Sequence, residues 1–187
     1  MMEKIKLYVA LMVNNIGDVI FDIFIAWSIG KASGDYYNAV YTIGTSMAFR
    51  AIISYLLGVV IDRHSKKNMI VASHLLSILE LIVFFSLWNN KKVRTIVGIL
   101  YILLNDINNE IFSKSYIVYT SKKFQTKEYI AFQSRSTAFI RLTTIAGSAV
   151  AGVLIESMSD NTIIILDICT YVISLIILLN IDNDEKE

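Results

Sequence analysis

Proline is absent from all 187 residues, and cysteine occurs once. The single Cys169 lies inside an apolar run, which excludes a disulfide framework and a Cys-x-x-Cys site. Histidine stands only at 64 and 74, so no His/Cys/carboxylate set has metal-ligand spacing. Neither a metal nor a cofactor is expected, and His74 reads as a packed or interfacial histidine. HExxH, GxSxG, P-loop and GxGxxG sequences are missing too, so the chain reads as no enzyme. Charge is scarce: Asp, Glu, Lys and Arg make up 18% and nearly cancel, to +1. No basic stripe with interleaved aromatics is present, which excludes nucleic acid as a partner. The want of proline has no physical reading beyond composition, since transmembrane helices tolerate that residue well.

What fills the chain instead is apolar: 55% of residues, with a mean hydropathy of +0.58. The apolar residues gather in six blocks at 7–30, 38–61, 68–88, 95–118, 132–155 and 162–181. Each approaches the ~20 residues a helix needs to cross ~30 Å of hydrocarbon. Short polar connections separate them. The expectation is an all-α membrane protein, with residues 1–187 forming a single six-helix transmembrane bundle in a lipid bilayer. A soluble helical bundle is the competing class, but blocks 70–88 and 162–181 are apolar on nearly every face, which suits lipid better. The first block is too long and too polar in its middle for a cleavable signal peptide, so it is expected to remain as span 1. With both termini inside, Lys4, Lys6, Arg63, Lys66, Lys67, Lys122, Lys123 and Lys127 are cytoplasmic. Lys31, Lys91, Lys92 and Arg94 are then outside, eight against four. The excess favours a multi-pass protein of the cell membrane with both termini cytoplasmic.

Polar residues inside the spans are the candidate functional groups. In span 1, Asn14, Asn15, Asp18 and Asp22 fall within ~100° of arc. Carboxylates facing lipid cost several kcal/mol, so Asp18 and Asp22 are expected to wall a polar cavity. Asn14 and Asn15 fit either that cavity or a hydrogen-bonded seam between helices. In span 4, Asp106, Glu110 and Lys114 share a face at i, i+4, i+8. Two like charges one turn apart in a dry site make the pair a candidate proton carrier; alternatively Lys114 neutralises Glu110. Arg50 and Arg141, midway along spans 2 and 5, each need an acid or water. Glu80 and Asp167 are single intramembrane acids, snorkelling or paired. Span 5 also carries Gly147-xxx-Ala151 and Ser148-xxx-Gly152, small pairs that admit a close neighbouring backbone.

The connection between spans 2 and 3 reads Gly58-Val-Val-Ile-Asp62-Arg63-His-Ser65-Lys66-Lys67. It resembles the loop of the major facilitator superfamily, Gly-x-x-x-Asp-Arg-x-Gly-Arg-Arg/Lys, with Ser65 in place of the usual glycine. The sequences IGD at 16–18, SGD at 33–35, VASHL, GSAVAGVL and LDICTYVIS are similar to the macrolide and multidrug exporter branch. Where exporters usually have proline after a glycine in span 5, Gly147 is followed by Ser148.

The resemblance implies one six-helix half of a fold that works by rocking two halves around a midplane site. Spans 1 and 4 would line the path, and spans 3 and 6 would face lipid. Gly58, Asp62, Arg63, Lys66 and Lys67 would form a gating loop, Asp62 meeting the opposite half and the basic cluster resting at anionic headgroups. The function implied is proton-coupled efflux of a small drug-like molecule by this bundle with a second copy or a separate C-terminal half. The competing expectation is a non-transporting membrane partner, an immunity protein or an inactive remnant.

Overall fold

Uninterrupted apolar runs without proline propagate as helix, because each added residue contributes a backbone hydrogen bond at little further entropic cost. The structure, a computed structural model, describes residues 2–35, 37–90 and 92–181, except for the side chains of Ala39, Val59, Val60 and Asp62. Over these residues the chain forms α1 (Met2–Ser33), α2 (Tyr37–Asp62), α3 (Lys66–Trp88), α4 (Arg94–Lys123), α5 (Thr126–Ser157) and α6 (Asp160–Leu179). The helices overrun the expected spans, most at 126–131, because polar residues outside the hydrocarbon still continue the backbone ladder. At the far end α6 stops at Leu179, two residues short of the expected 181.

Five of the six are long and apolar enough to cross a membrane; α4 is long enough but too polar. Its 30 residues carry Asn105, Asp106, Asn108, Asn109, Glu110 and Lys114 in the middle. The protein is therefore an all-α membrane protein.

Local chemistry sets the turns. Gly34 takes a φ of 69°, which ends α1 in the left-handed region that a side chain disfavours. Asp35 Oδ1 then accepts the Tyr37 amide at 2.9 Å and starts α2. The Ser159 hydroxyl accepts the Thr162 amide at 3.3 Å and caps α6.

Central to the bundle, α1 packs on α5 and α6 and also touches α2 and α4, while α3 joins α4 and α6. Two apolar cores lie at opposite ends. One gathers Phe21, Phe24, Phe84, Trp88, Tyr101 and Ile163; the other gathers Leu7, Ile70, Tyr116, Tyr119, Phe132 and Leu178. Between them runs a polar layer to which every helix gives a buried group: Asn14, Ser46, Ser77, Asn105, Thr143 and Asp167 are each 7% exposed or less. Within it His74 is packed rather than interfacial. Its Nδ1 lies 3.1 Å from the Ile70 carbonyl and its Nε2 3.0 Å from Ser174 Oγ. A carbonyl only accepts, so Nδ1 carries the proton and Ser174 donates to Nε2.

The helix faces correct part of the lipid expectation. Spans 3 and 6 do present apolar outer faces, with Leu75, Leu79, Ile82, Ile165, Ile173 and Ile176 exposed. Their inner faces are nonetheless well packed, and Asp167, far from snorkelling, is 1% exposed. The barest helix is α2, with 6% of its apolar stretch buried, followed by α5 with 17%. The two small-residue pairs also divide. Gly147 admits Val19, whose Cγ1 lies 3.2 Å from where a Cβ would stand, and Ala151 is fully buried. Ser148 is exposed, and nothing approaches Gly152 within 4 Å, so that pair packs on nothing inside the bundle.

The ends are clasped by polar groups. Trp88 Nε1 donates to Asp160 Oδ2 at 3.0 Å, and Arg94 Nη1 reaches the same oxygen at 3.3 Å while its guanidinium covers the Trp88 ring. Asp160→Ala is expected to cost about 1 kcal/mol in thermal or denaturant unfolding, by orphaning the indole N–H. A variant indistinguishable from the parent would leave this clasp without a stabilising role. At the opposite end Lys4 pairs with Glu128 at 3.0 Å, Lys123 with Glu3 at 3.2 Å, and Lys6 donates to the Asn180 carbonyl at 2.8 Å.

Candidate functional site: a charged cleft between α1, α2 and α4

The two bare helices do not pack extensively on each other; α1 and α4 lie between them, each in contact with both. The i, i+4 registers of α1 and α4 bring their acids onto this open side. On α1, Asn14 Nδ2 donates to Asp18 Oδ2 at 2.8 Å, one turn along. Asp18 is half-buried, whereas Asp22 one turn further is exposed in the isolated bundle. On α4, Asp106 and Glu110 are held by Arg50 of α2. Arg50 Nε donates to Glu110 Oε1 at 2.9 Å, and its Nη1 lies 3.8 Å from Asp106 Oδ1.

Arg50 thus finds the acids its depth requires, and it also lies within electrostatic range of Asp18 and Asp22. Lys114 sits 3.8 Å from Glu110 Oε2 and donates to the Ser54 carbonyl, which ties α4 to α2 a second time. Of the two sequence-based readings of the α4 acids, the neutralising one has a structural counterpart: Lys114 does approach Glu110, although Arg50 is the closer cation. The site holds four carboxyl groups against two cations, so Arg50 is shared among more acid than it can neutralise. Asp106 keeps Oδ2 without a hydrogen-bond partner, although Ser46 lies beside it.

The remaining expected residues separate clearly. Asn15 belongs to a helix seam, donating to Thr143 Oγ1 at 2.7 Å and Thr144 Oγ1 at 3.1 Å on α5. Arg141 is exposed on α5 and makes no ion pair with a described residue, so the acids found for Arg50 are not shared with it. Along the same face of α5, Ser134, Thr137 and Ser148 are also exposed.

In the loop after α2, the headgroup role expected of the basic cluster does not fit Lys66. Lys66 is 6% exposed and folds back to donate to the Ile61 and His64 carbonyls, satisfying the C-terminal end of α2. Lys67 donates to the Ile181 carbonyl beyond α6. Arg63 is exposed. Gly58 lies inside α2 with open space where a Cβ would stand, and the side chain of Asp62 is outside the described residues.

Two groups were not recognisable as parts of one site from sequence. Asp167 lies against the α1 backbone at Gly17, with Thr170 Oγ1 3.3 Å from its Oδ1 and no hydrogen-bond partner for Oδ2. Tyr171, 2% exposed, brings its hydroxyl beside Asp18 and so connects the cleft to the buried polar layer. No protein family, curated protein or solved structure matches this chain.

Proposed function

We propose that the bundle is one six-helix half of a major-facilitator-type transporter, working with a second six-helix unit supplied by another copy or a separate chain. In this reading α4 also spans the bilayer, its polar centre facing the cleft rather than lipid. Both termini are cytoplasmic and the membrane is the cell membrane. The observation that carries the reading is the Arg50–Asp106–Glu110 cluster beside Asp18 and Asp22, at mid-length between two helices left bare.

Charges at that depth are tolerated where they meet water, protein or a substrate. A second unit covering α2 and α5 would close the cleft into a central path. The exposed Arg141 and the uncovered Ser148–Gly152 pair would then meet that unit rather than lipid. Protons are the coupling ion proposed, since the shared cation leaves carboxyl groups able to gain and lose them as the path opens to either side. The substrate class is a small drug-like molecule, moved outward.

The test is movement of ethidium driven by a pH gradient in proteoliposomes holding the full chain. Asp18→Asn and Glu110→Gln are each expected to abolish the pH-driven component. Unchanged pH dependence in both variants would refute proton coupling through these acids. A second reading has one observation in its favour: Arg50 already binds Asp106 and Glu110, so the cluster is also suited to bolting α2 to α4 in a non-transporting membrane partner. Failure of the wild-type chain to move any ethidium, with or without a second unit, would support that reading.

A further inference from the structure

On the side of the bundle away from the cleft, α3 and α4 leave a groove of about 370 Å³. Leu79, Val83, Leu100 and Leu104 form its aliphatic sides and are themselves exposed, so it opens laterally toward lipid. Its inner wall is aromatic: the rings of Phe84 and Tyr101 meet there with centroids 5.0 Å apart. Into this apolar groove the sequence puts one carboxyl group, Glu80.

Glu80 makes no ion pair with a described residue, and its Oε2 is shielded from solvent with no hydrogen-bond partner. Asn108 lies beside it, its side-chain amide within hydrogen-bonding reach of the carboxyl group. Neither Arg50 nor Lys114 serves it, because both are engaged with Asp106 and Glu110 in the cleft. A neutral amide does not balance the charge of a carboxylate in an apolar groove, so the ionised form of Glu80 is favoured only when a cation joins it there.

We propose that this groove is a binding site for a lipophilic ammonium ion entering sideways from the bilayer. A carboxylate, an aromatic inner wall and aliphatic sides are the elements that recognise an organic cation with an apolar body. Glu80 stands eight residues before Trp88, about 12 Å along the helix. A phospholipid amine stays at the headgroup level and does not descend that far. An acyl chain fills the walls but offers nothing to the carboxylate. A protonated amine on a compact aromatic body satisfies both. The site lies outside the central path and stands whether or not the chain transports.

The test uses the full chain in phosphatidylcholine nanodiscs with tritiated imipramine, a tricyclic tertiary ammonium, and its amine-free parent iminodibenzyl as competitor. Saturable imipramine binding is expected, with iminodibenzyl competing at least tenfold less well. Glu80→Gln should weaken binding at least tenfold. Val83→Trp, on the exposed wall, should also weaken it by filling the groove. Glu156→Gln, an exposed carboxyl group on α5 outside both the groove and the cleft, should leave it unchanged. Absence of saturable binding overturns the proposal. So does binding that survives both groove substitutions, or that is lost with Glu156→Gln. Should Glu80→Gln fail to fold, Val83→Trp against Glu156→Gln still decides. A negative ethidium assay leaves this outcome untouched, so the two proposals fail separately.

Discussion

Gly17→Val is expected to lower the stability of the folded protein markedly, whereas Gly152→Val should leave it unchanged. A Cβ on Gly17 would stand 2.6 Å from Asp167 Oδ1 and 2.9 Å from Thr170 Cβ, and closer still to Thr170 Oγ1. These atoms have little room to yield. Thr170 Oγ1 donates to the Asp167 carbonyl at 2.8 Å, and Asp167 is buried among groups of the polar layer. Relief therefore requires α1 and α6 to separate, along one of the two most extensive contacts of α1. Overpacking of this kind costs roughly 1–3 kcal/mol, and a branched side chain lies at the upper end.

The expected measurement is a lower yield of monodisperse protein in detergent and a lower unfolding temperature. Thr170→Ala should recover part of the loss in the double variant, because it removes the nearest clashing atom. Gly152, with nothing within 4 Å, is the matched control on α5. Equal stability for Gly17→Val and the parent would show that the helices do not close as described.

Arg50→Leu should be the most damaging single change in the cleft. It leaves Asp106 and Glu110, whose side chains are 14% and 16% exposed, without their principal cation. Breaking a buried pair from one side costs about 3–5 kcal/mol. Arg50 itself is 42% exposed, so screening places the loss at or below the lower figure. Lys114, 3.8 Å from Glu110, offsets part of it for that acid but not for Asp106.

The informative companion is the triple variant Arg50→Leu, Asp106→Asn, Glu110→Gln. Removing all three charges should restore most of the stability, since no ion is left unpaired, while ethidium movement stays lost. If the triple variant is stable and still moves ethidium with the same pH dependence, the cluster is a bolt between α2 and α4. If the single variant is as stable as the parent, the pairing itself does not matter.

How much of this was readable in one dimension depends on the range of the interaction. The register Asp106–Glu110–Lys114 is local, and i, i+4 spacing places the three on one face before any folding is considered. The partner of Arg50 is not local: Glu110 lies 60 residues away, and only the packing of α2 on α4 selects it over Asp18 or Asp22. Asn15 illustrates the same point. Next to Asn14 in sequence, it turns to the α5 hydroxyls while Asn14 turns along α1, because 100° of helix rotation separates neighbours. Gly147 and Ser148, also adjacent, split in the same way between a packed and a bare face.

The sequence by itself determined that this is a helical membrane protein, and about where each of the described helices lies. Apolar run length and backbone hydrogen bonding are properties of a segment alone, so they survive without knowledge of any neighbour. Only the tertiary structure decided which side of each helix is covered. It placed Asp167 inside, left α2 and α5 bare, and turned Glu80 away from the cleft into a groove of its own. Each helix is free to rotate about its axis until its small and polar residues meet complementary ones on another, and that choice belongs to the pair rather than to either strip of sequence.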